Sequence, residues 1–379
     1  MRHAGRGCGA RHVGAVSQEA DGPENRAGRA TTQGRRAVTG LHTFTDGGQT
    51  AADVAAVVAD FLAAATKTLD IALYDFNLAD GTAATVVGAL KQAAARGVSV
   101  RLMYNVDHSM PIPVPPPPST DQAAVAALGC PVKGISGVPN LMHHKYVVRD
   151  GAHVLTGSTN WTDDSWSREE NVMIVVDSSD LAAAYARDFE QLWSTERVEG
   201  SGNFDTPEVT IDDARVTPLF CPGRAHTLAH RIAGALGRAQ KRIRVCSPVI
   251  TAGPILGTLA EIAASRTVDL SGVFDETQME EVLAQWKADD PARWKISAFE
   301  SLISSAPFGG KRSTPWGQGT VHDFMHAKAT VADDDVFIGS YNLSHAGEQN
   351  AENTLEIHDA GLADHIAAFI DDLRARYPR

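Results

Sequence analysis

Residues 143–160 read HHKYVVRDGAHVLTGSTN, and residues 326–342 read HAKATVADDDVFIGSYN. Both stretches contain His-x-Lys, four further residues, Asp, a short apolar run and Gly-Ser-x-Asn. A Glu-Asn pair follows ten residues after that Asn in each copy, as Glu170-Asn171 and Glu352-Asn353. Seven matched polar positions, repeated in register about 183 residues apart, predict a duplicated domain.

The apolar spacing around both copies predicts helices that alternate with strands. In the first half we expect helices at residues 50–65 and 80–96 and strands at residues 69–76 and 98–104. The second half repeats this order and adds an expected strand at residues 294–299, followed by a long loop at 303–324. Strands that alternate with helices indicate an α/β fold with a mostly parallel sheet covered on both faces.

The repeat divides the chain into two domains of similar length. The first predicted domain covers residues 41–198, and the second covers residues 214–379. The polar segment 199–213 between them contains Gly and Pro and is typical of a linker. Residues 1–40 are rich in Arg and Gly and lack the apolar core of a secretory signal. A disordered basic tail is therefore predicted there.

Composition disfavours several classes of protein. The tail carries seven Arg and three acidic residues, so the remainder holds a charge of −16 in a chain of net charge −12. Such an acidic body argues against a broad nucleic-acid surface. No run approaches the eighteen or so apolar residues of a membrane span, and no transmembrane segment is expected. The four cysteines form no C-x-x-C pair, which favours free thiols and a cytoplasmic location.

The repeated stretch gathers side chains that recognise phosphate. Alternate residues of a strand face the same side, so His143 and Lys145 are expected to project together. The same holds for His326 and Lys328, whereas His144 faces away and is interpreted as a packing or surface residue. The Gly-Ser-x-Asn segments add hydroxyls and carboxamides from Ser158, Asn160, Ser340 and Asn342. Such a donor-rich, cationic pocket suits an anion with several oxygens.

Two imidazoles in one pocket favour a division of labour. One His attacks phosphorus as a neutral nucleophile, and the other protonates the leaving oxygen. Glu170 and Glu352 are each expected to accept the ring N–H of the His in their own copy, which fixes the tautomer. No cofactor or metal is required, because Lys and Asn neutralise the developing charge. The competing interpretation is a His/Glu zinc site, which is disfavoured because the adjacent Lys would repel Zn²⁺.

These residues resemble the phospholipase D superfamily, whose hallmark is the motif HxKxxxxDxxxxxxGSxN. The first copy matches at every position, and the second is one residue shorter between Asp333 and Gly339. We expect this shortening to affect the hairpin turn and not the site. The resemblance covers roughly residues 41–377 and implies two pseudo-symmetric α-β-α sandwich domains. These domains would share one active site at their interface, so that a monomer is sufficient for a complete site.

The resemblance also implies roles for individual residues. His143 would form the phosphohistidine, and His326 would be the general acid that later activates water or an alcohol. Asp150 and Asp333 would be structural or lie outside the direct chemistry. Both Lys and both Asn of the motifs, together with the two Glu, complete the expected catalytic set, and Ser158 and Ser340 are expected to bind substrate.

The activity expected from the resemblance is a phosphodiesterase that acts on a phospholipid. The alternatives are a metal-independent nuclease of the same superfamily and a non-catalytic phosphate-binding scaffold. The loops 105–118 and 303–324 precede the motifs and are expected to line the entrance. Acyl chains would contact their apolar residues Met110, Ile112, Val114, Pro307, Phe308 and Trp316, and nucleic-acid phosphates their basic residues Lys311, Arg312 and His322.

Overall fold

The computed structural model describes residues 38–106, 120–136, 140–317 and 319–379. Nearly all of the predicted tail and most of the predicted loop at 105–118 therefore lie outside the described residues, and Met110, Ile112 and Val114 lie there with the loop. The remaining predictions fall on parts of the chain that the structure describes.

The first half builds one large sheet with helices around it. The strands of this half are β1 (Val38–Phe44), β2 (Thr68–Leu73), β3 (Phe76–Asn77), β4 (Ser99–Val106), β5 (Val132–Ser136), β6 (Lys145–Arg149), β7 (His153–Gly157), β8 (Trp161–Thr162) and β9 (Asn171–Asp177). Strands β3 and β8 pair with each other outside the large sheet. Its helices are α1 (Ala51–Ala63), α2 (Asp80–Ala95), α3 (Gln122–Ala126), α4 (Asp163–Ser167) and α5 (Ser179–Thr195). Helix α1 begins after the predicted N-cap Thr50, whose hydroxyl accepts from Asp53 N in a capping box.

The second half repeats this arrangement. Its strands are β10 (Val209–Ile211), β11 (Ala214–Cys221), β12 (Arg242–Ser247), β13 (Asp269–Asp275), β14 (Phe308–Lys311), β15 (Ala329–Ala332), β16 (Asp335–Gly339) and β17 (Glu352–His358). Its helices are α6 (Ala225–Arg238), α7 (Gly253–Ser265), α8 (Glu276–Ala288), α9 (Arg293–Ser305), α10 (His345–Gln349) and α11 (Ala360–Arg376).

The strand orders confirm the duplication. Among the described residues, the first sheet runs β1-β9-β7-β6-β2-β4-β5, and the second runs β10-β11-β17-β16-β15-β12-β13-β14. Without β10 the two orders correspond strand for strand. The motif strands β6 and β15 lie inside their sheets, where neighbours on both sides fix their position.

The prediction of a mostly parallel sheet is wrong. Only β2, β4 and β5, and their counterparts β12, β13 and β14, pair in parallel among the main-sheet strands described. The remaining pairs are antiparallel, including both motif hairpins. A short turn can join antiparallel strands only, so the mixed sheet follows from the motif itself.

Three shorter predictions also need correction. Residues 294–299, expected as a strand, belong to helix α9, in which Phe299 and Leu302 are buried at helical spacing. The expected loop 303–324 contains the end of α9 and strand β14. The expected linker 199–213 contains β10, which extends the second sheet. Short apolar runs do not distinguish a strand from a helix by period alone.

Apolar side chains form three cores, one of which joins the two halves. Each half has a core under its own helices, α1 and α2 in the first and α6, α7 and α9 in the second. The shared core contains α5, α11 and residues of both sheets, for example Tyr146, Phe189, Ile357 and Ile366. The described residues consequently belong to one compact unit. The boundaries 41–198 and 214–379 stay a prediction.

The one-residue difference between the motifs falls in the hairpin turn, as expected. Arg149 pairs with His153 in the first hairpin, whereas Ala332 pairs with Asp335 in the second, which leaves a shorter turn. Asp150 and Asp333 occupy the same place in these turns with left-handed backbones (φ 57° and 53°).

Both aspartates anchor their turns to the start of a neighbouring strand. The Asp150 carboxylate accepts the backbone N–H groups of residues 66–68, at 2.6–3.1 Å. The Asp333 carboxylate accepts those of residues 240–242, at 2.7–3.0 Å. These contacts agree with the structural role implied for the two motif aspartates.

Candidate active site

The two motifs meet at the interface between the halves. The backbone N–H of His143 donates to Ala351 O (2.9 Å), and that of His326 donates to Glu170 O (3.1 Å). Each motif histidine is therefore fixed by the segment that leads into the last strand of the opposite sheet. This reciprocal contact brings the two imidazoles to one site.

Each motif lysine supports the histidine of its own copy. Lys145 Nζ donates to His143 O (2.7 Å), and Lys328 Nζ donates to His326 O (2.6 Å). All four side chains are buried, and the Lys145 ammonium also lies 4.7 Å from the centre of the Tyr74 ring. The structure thus brings together the His-Lys pairs that strand alternation predicted.

His143 is held by a carboxylate from the second half. Its Nδ1 lies 2.8 Å from Glu352 Oε1, and Glu352 is completely buried. The edge of the imidazole packs against Tyr74, with ring centres 4.6 Å apart. The prediction that Glu352 holds the histidine of its own copy is therefore wrong, because the partner is His143 and not His326.

His326 is held by an amide from the first half. Its Nδ1 lies 3.1 Å from Asn171 Oδ1 and 3.3 Å from Glu169 Oε2. The amide oxygen only accepts, so Nδ1 carries the proton and Nε2 is the reactive nitrogen. Asn171 Nδ2 in turn donates to Glu169 Oε2 (3.1 Å). Asn171 and Glu169 were not among the predicted site residues.

Glu170, predicted to hold an imidazole, points away from both rings. Its carboxylate pairs with Lys311 Nζ (2.8 Å) and also accepts from Asp46 N and the Tyr377 hydroxyl. It supports His326 only through its backbone carbonyl. Lys311, expected at the entrance, is likewise buried in this ion pair.

The sheet register explains the error. Gly157 pairs with Met173, whereas its counterpart Gly339 pairs with Thr354. The first half therefore has one more residue before its last strand. Asn171 consequently occupies the position of Glu352, although the equal spacing of the two Glu-Asn pairs pointed to Glu170. No signal within the motif marks this extra residue.

The motif serines, which were predicted to bind substrate, are completely buried and form hydrogen bonds with protein groups; their contact with substrate stays a prediction. Ser158 Oγ donates to Asn171 Oδ1 (2.7 Å), and Ser340 Oγ accepts from Asn353 N (3.0 Å). The glycines before them permit a close approach of strands. An added Cβ would lie 2.1 Å from Val172 O at Gly157 and 2.0 Å from Asn353 O at Gly339.

The motif asparagines provide polar groups without a protein partner. Within the residues described, the side-chain oxygens of Asn160 and Asn342 are shielded from solvent and have no hydrogen-bond partner. Buried carboxamides normally have partners, so these two groups indicate a place for a polar ligand. Their positions in the two halves correspond.

Burial and two ammonium groups make the site unfavourable for further positive charge. Burial, reinforced by Lys145 and Lys328, holds the pKa of His143 and His326 well below the usual range. Burial also lowers the pKa of Lys145 to about 8. It raises the pKa of Glu352 and of Glu169 to about 8. A bound anion would offset the positive charge and allow an imidazole to hold a second proton.

The residues expected at the entrance differ in their exposure. Trp316 is 46% exposed, whereas Phe308 is buried in β14. In the described parts of the chain, no group of His, Cys, Asp and Glu could hold a metal ion. None of the described helices has the length and apolar character needed to cross a bilayer.

Sequence comparison identifies a family that covers most of the chain. The family model described as "Cardiolipin synthase, PLD-like domain" matches residues 58–193 and 232–374. The mitochondrial cardiolipin hydrolase of Xenopus laevis is 27% identical over 132 residues, which is 35% of this chain and 57% of that protein. That of Chlamydomonas reinhardtii is 30% identical over 135 residues, 35% of this chain and 55% of that protein. The chain thus spans about half the length of the curated relatives it matches.

Structure comparison supports the two-sheet fold. Phosphatidylserine synthase of Haemophilus influenzae superposes with a TM-score of 0.62 at 13% identity, covering 89% of this chain and 86% of that chain. Polyphosphate kinase of Porphyromonas gingivalis gives 0.57 at 11% identity, covering 88% and 47%. These likenesses concern the fold alone.

Proposed function

The chain belongs to the phospholipase D superfamily, and we propose that it is a phosphodiesterase that cleaves a phospholipid through a phosphohistidine intermediate. One observation carries this proposal. Two buried His-Lys pairs, one from each half, meet at the interface, and each imidazole is fixed through Nδ1 by the opposite half. Fixing Nδ1 leaves Nε2 of each ring available for chemistry.

The proposed reaction begins with attack on phosphorus. His143 Nε2 forms a bond to phosphorus as the bond from phosphorus to the leaving oxygen breaks. His326, which holds a second proton once the anionic substrate is bound, transfers that proton from Nε2 to the leaving oxygen. Lys145 and Lys328 stabilise the charge that builds up on the phosphoryl oxygens.

The second step regenerates the enzyme. Neutral His326 accepts a proton from water, and the water oxygen attacks the phosphohistidine. The bond between phosphorus and His143 Nε2 then breaks, which releases the phosphorylated product and restores the starting protonation. An alcohol in place of water would give transfer instead of hydrolysis.

The partners of the two rings support His143 as the nucleophile. A phosphorylated imidazole with a proton on Nδ1 is cationic, and the Glu352 carboxylate at 2.8 Å compensates that charge. His326 has the neutral Asn171 amide as its nearer partner, and Glu169 lies farther away. A neutral partner leaves an imidazolium readier to release its proton.

A phospholipid substrate is supported by the relatives and by one exposed side chain. The curated relatives matched over half their length are named mitochondrial cardiolipin hydrolase. Trp316 precedes the second motif and is well exposed, and an amphipathic indole of this kind favours a lipid–water interface. The acidic chain, with a net charge of −12, does not favour a long polyanion.

The proposal is tested by a substrate panel with and without EDTA: cardiolipin, other phospholipids, single- and double-stranded nucleic acid and a generic phosphodiester. We expect head-group or phosphatidate release that EDTA does not abolish. His143→Asn and His326→Asn should each reduce kcat by more than the roughly 10²–10⁴-fold typical of acid–base catalysis alone. Nicking of nucleic acid without any lipid turnover would replace the lipid proposal with a nuclease.

Trapping the intermediate tests the assignment of roles. With ³²P-labelled substrate, wild-type protein should retain acid-labile, histidine-linked label after a rapid quench. His143→Asn should retain none, whereas His326→Asn should accumulate label with a substrate whose leaving group needs no proton. Label on His326 in the wild-type protein would reverse the two roles.

A further inference from the structure

A buried polar network lies behind the contact between His143 and Glu352, and the proposed chemistry does not use it. His144 follows His143, and Asn353 follows Glu352. His144 Nδ1 lies 3.2 Å from Asn353 Nδ2, so these residues also meet across the interface. We refer to His143–Glu352 as the front pair and to His144–Asn353 as the rear pair.

The rear pair is held by further polar groups of the first half. His144 Nε2 lies 2.9 Å from Asp188 Oδ2, which also accepts the Tyr146 hydroxyl (3.0 Å). Asn353 Oδ1 accepts from Thr156 Oγ1 (2.7 Å) and Tyr185 Oη (3.0 Å). All these side chains are completely buried. Asn353 and Asp188 are thus held by hydrogen bonds and not only by packing. His144 Nε2 is in close contact with Asp188 but without hydrogen-bond geometry among the described residues.

The corresponding positions around His326 are apolar. The matched sheet register aligns Asn353 with Val172, and the motifs align His144 with Ala327. The last helix of each half, α5 or α11, begins after an equivalent N-cap residue, Ser178 or Asp359. This equivalence aligns the remaining positions of the network. The counterparts of Thr156, Tyr185 and Asp188 are Ile338, Ile366 and Phe369, all buried. The second half therefore has a front pair, His326–Asn171, with no polar rear pair.

We infer that Asp188, His144 and Asn353 are positioning residues for His143, which fix the front pair through the rear pair. Consecutive residues of an extended chain face opposite sides, so His144 and Asn353 point into the core while His143 and Glu352 point into the site. A polar contact on the core side then fixes the separation of the segment before β6 and strand β17, which carry the front pair. This inference rests on the proposed function for its catalytic consequence but not for its geometry.

The physical reason is the accuracy that a nucleophile requires. Apolar packing tolerates small shifts of one strand against another, whereas buried hydrogen bonds with fixed partners do not. A misplacement of about 1 Å can cost on the order of 10²-fold in rate. The polar network therefore stands on the side of the ring that must attack.

The test replaces Asn353 with valine, the residue at the equivalent position of the first half (Val172), as Asn353→Val. In protein labelled with ¹⁵N-histidine, the Nδ1 proton of His143 is identified by its loss in His143→Asn. We expect Asn353→Val to shift and broaden this resonance and to accelerate its exchange with solvent. Tyr185→Phe, which removes a single hydrogen bond to Asn353, should produce the same change to a smaller degree and keeps the test valid if Asn353→Val does not fold.

Kinetics supply the second readout. Asn353→Val should lower kcat by on the order of 10²-fold with KM nearly unchanged, since binding groups are untouched. The matched control is Ile366→Val, the mirror of Tyr185, which removes one buried methylene and should leave the His143 resonance and kcat unchanged.

The outcomes separate this inference from the proposed function. A displaced His143 resonance in a protein that turns over no phosphodiester would sustain the positioning role and refute the proposed function. An unchanged resonance in folded Asn353→Val and Tyr185→Phe would overturn the inference, whatever the activity. Equal effects of Ile366→Val would reduce the network to a contribution to stability.

Discussion

The two halves of the molecule have matching strand orders but hold their histidines by different means. His143 has a carboxylate partner, Glu352, and a hydrogen-bonded rear pair behind it. His326 has an amide partner, Asn171, with Glu169 nearby and apolar side chains behind it. This difference is the basis for proposing two roles in a nearly symmetric site. The reactive rings are alike, and the groups that fix them have diverged.

The partners of the two rings provide the largest expected contrast. Glu352→Gln keeps a hydrogen-bond acceptor but removes the charge that compensates a phosphorylated His143, so kcat should fall by on the order of 10³–10⁴-fold. Glu169→Gln should cost only about fivefold, because Asn171 still accepts the ring N–H and one hydrogen bond is worth about 1 kcal/mol. The measurement is single-turnover kinetics of both variants on one substrate.

Equal losses in those two variants would contradict the assigned asymmetry. A larger loss in Glu169→Gln would identify His326 as the ring that needs charge compensation. Asn171→Ala is the control for orientation alone, since it removes the amide of His326 while both carboxylates remain.

The sequence allowed the duplication and the identity of the four His and Lys residues to be predicted because those positions are matched in register. The partners of the rings could not be assigned in the same way. Each ring is held by the opposite half, and a repeat within one chain does not show which copy contacts which. The extra residue before β9 then moved Glu170 out of the site and Asn171 into it. Strand alternation predicted that His144 faces away from His143 as a packing or surface residue, and the structure shows that it is buried.

The pH profile should reflect the buried Lys and Glu side chains of the site, with Lys145 and Glu352 next to His143. The Lys145 ammonium, whose pKa burial lowers to about 8, is needed in its charged form, so kcat/KM should fall as the pH rises above about 8. The Glu352 carboxyl, whose pKa burial raises to about 8, is needed ionised, so kcat/KM should also fall below that pH. The expected result is a bell-shaped dependence of kcat/KM on pH with its maximum near pH 8. It should be measured with a substrate whose leaving group needs no proton.

Lys145→Arg sharpens this prediction. A guanidinium stays charged throughout the measured pH range, so the variant should lose the contribution of Lys145 to the alkaline limb and keep the acid limb, although its absolute rate will be lower. The part of the alkaline limb that remains should belong to Lys328, whose pKa burial also holds well below its usual range. An alkaline limb that persists unchanged in Lys145→Arg would show that another group titrates there.

The motif aspartates are a point at which the two halves are alike, and substituting them should have the smallest effect on activity. Asp150 and Asp333 each accept three backbone N–H groups, so Asp150→Asn and Asp333→Asn should each lower the free energy of unfolding by about 1–3 kcal/mol. The same contacts make this stability depend on pH. Partial burial raises the pKa of both carboxyls, but the backbone donors lower it by more, so the pKa of each lies below its usual value.

Because the pKa of each carboxyl is depressed in the folded protein, this stability is present above the unfolded pKa of about 3.9. It disappears as the pH falls through the folded pKa. Urea denaturation should therefore show a lower free energy of unfolding than wild type at pH 7, and this difference should shrink at pH 3. The kcat of the folded variants should stay within about twofold of wild type. A folded variant that loses turnover would place its aspartate in the chemistry.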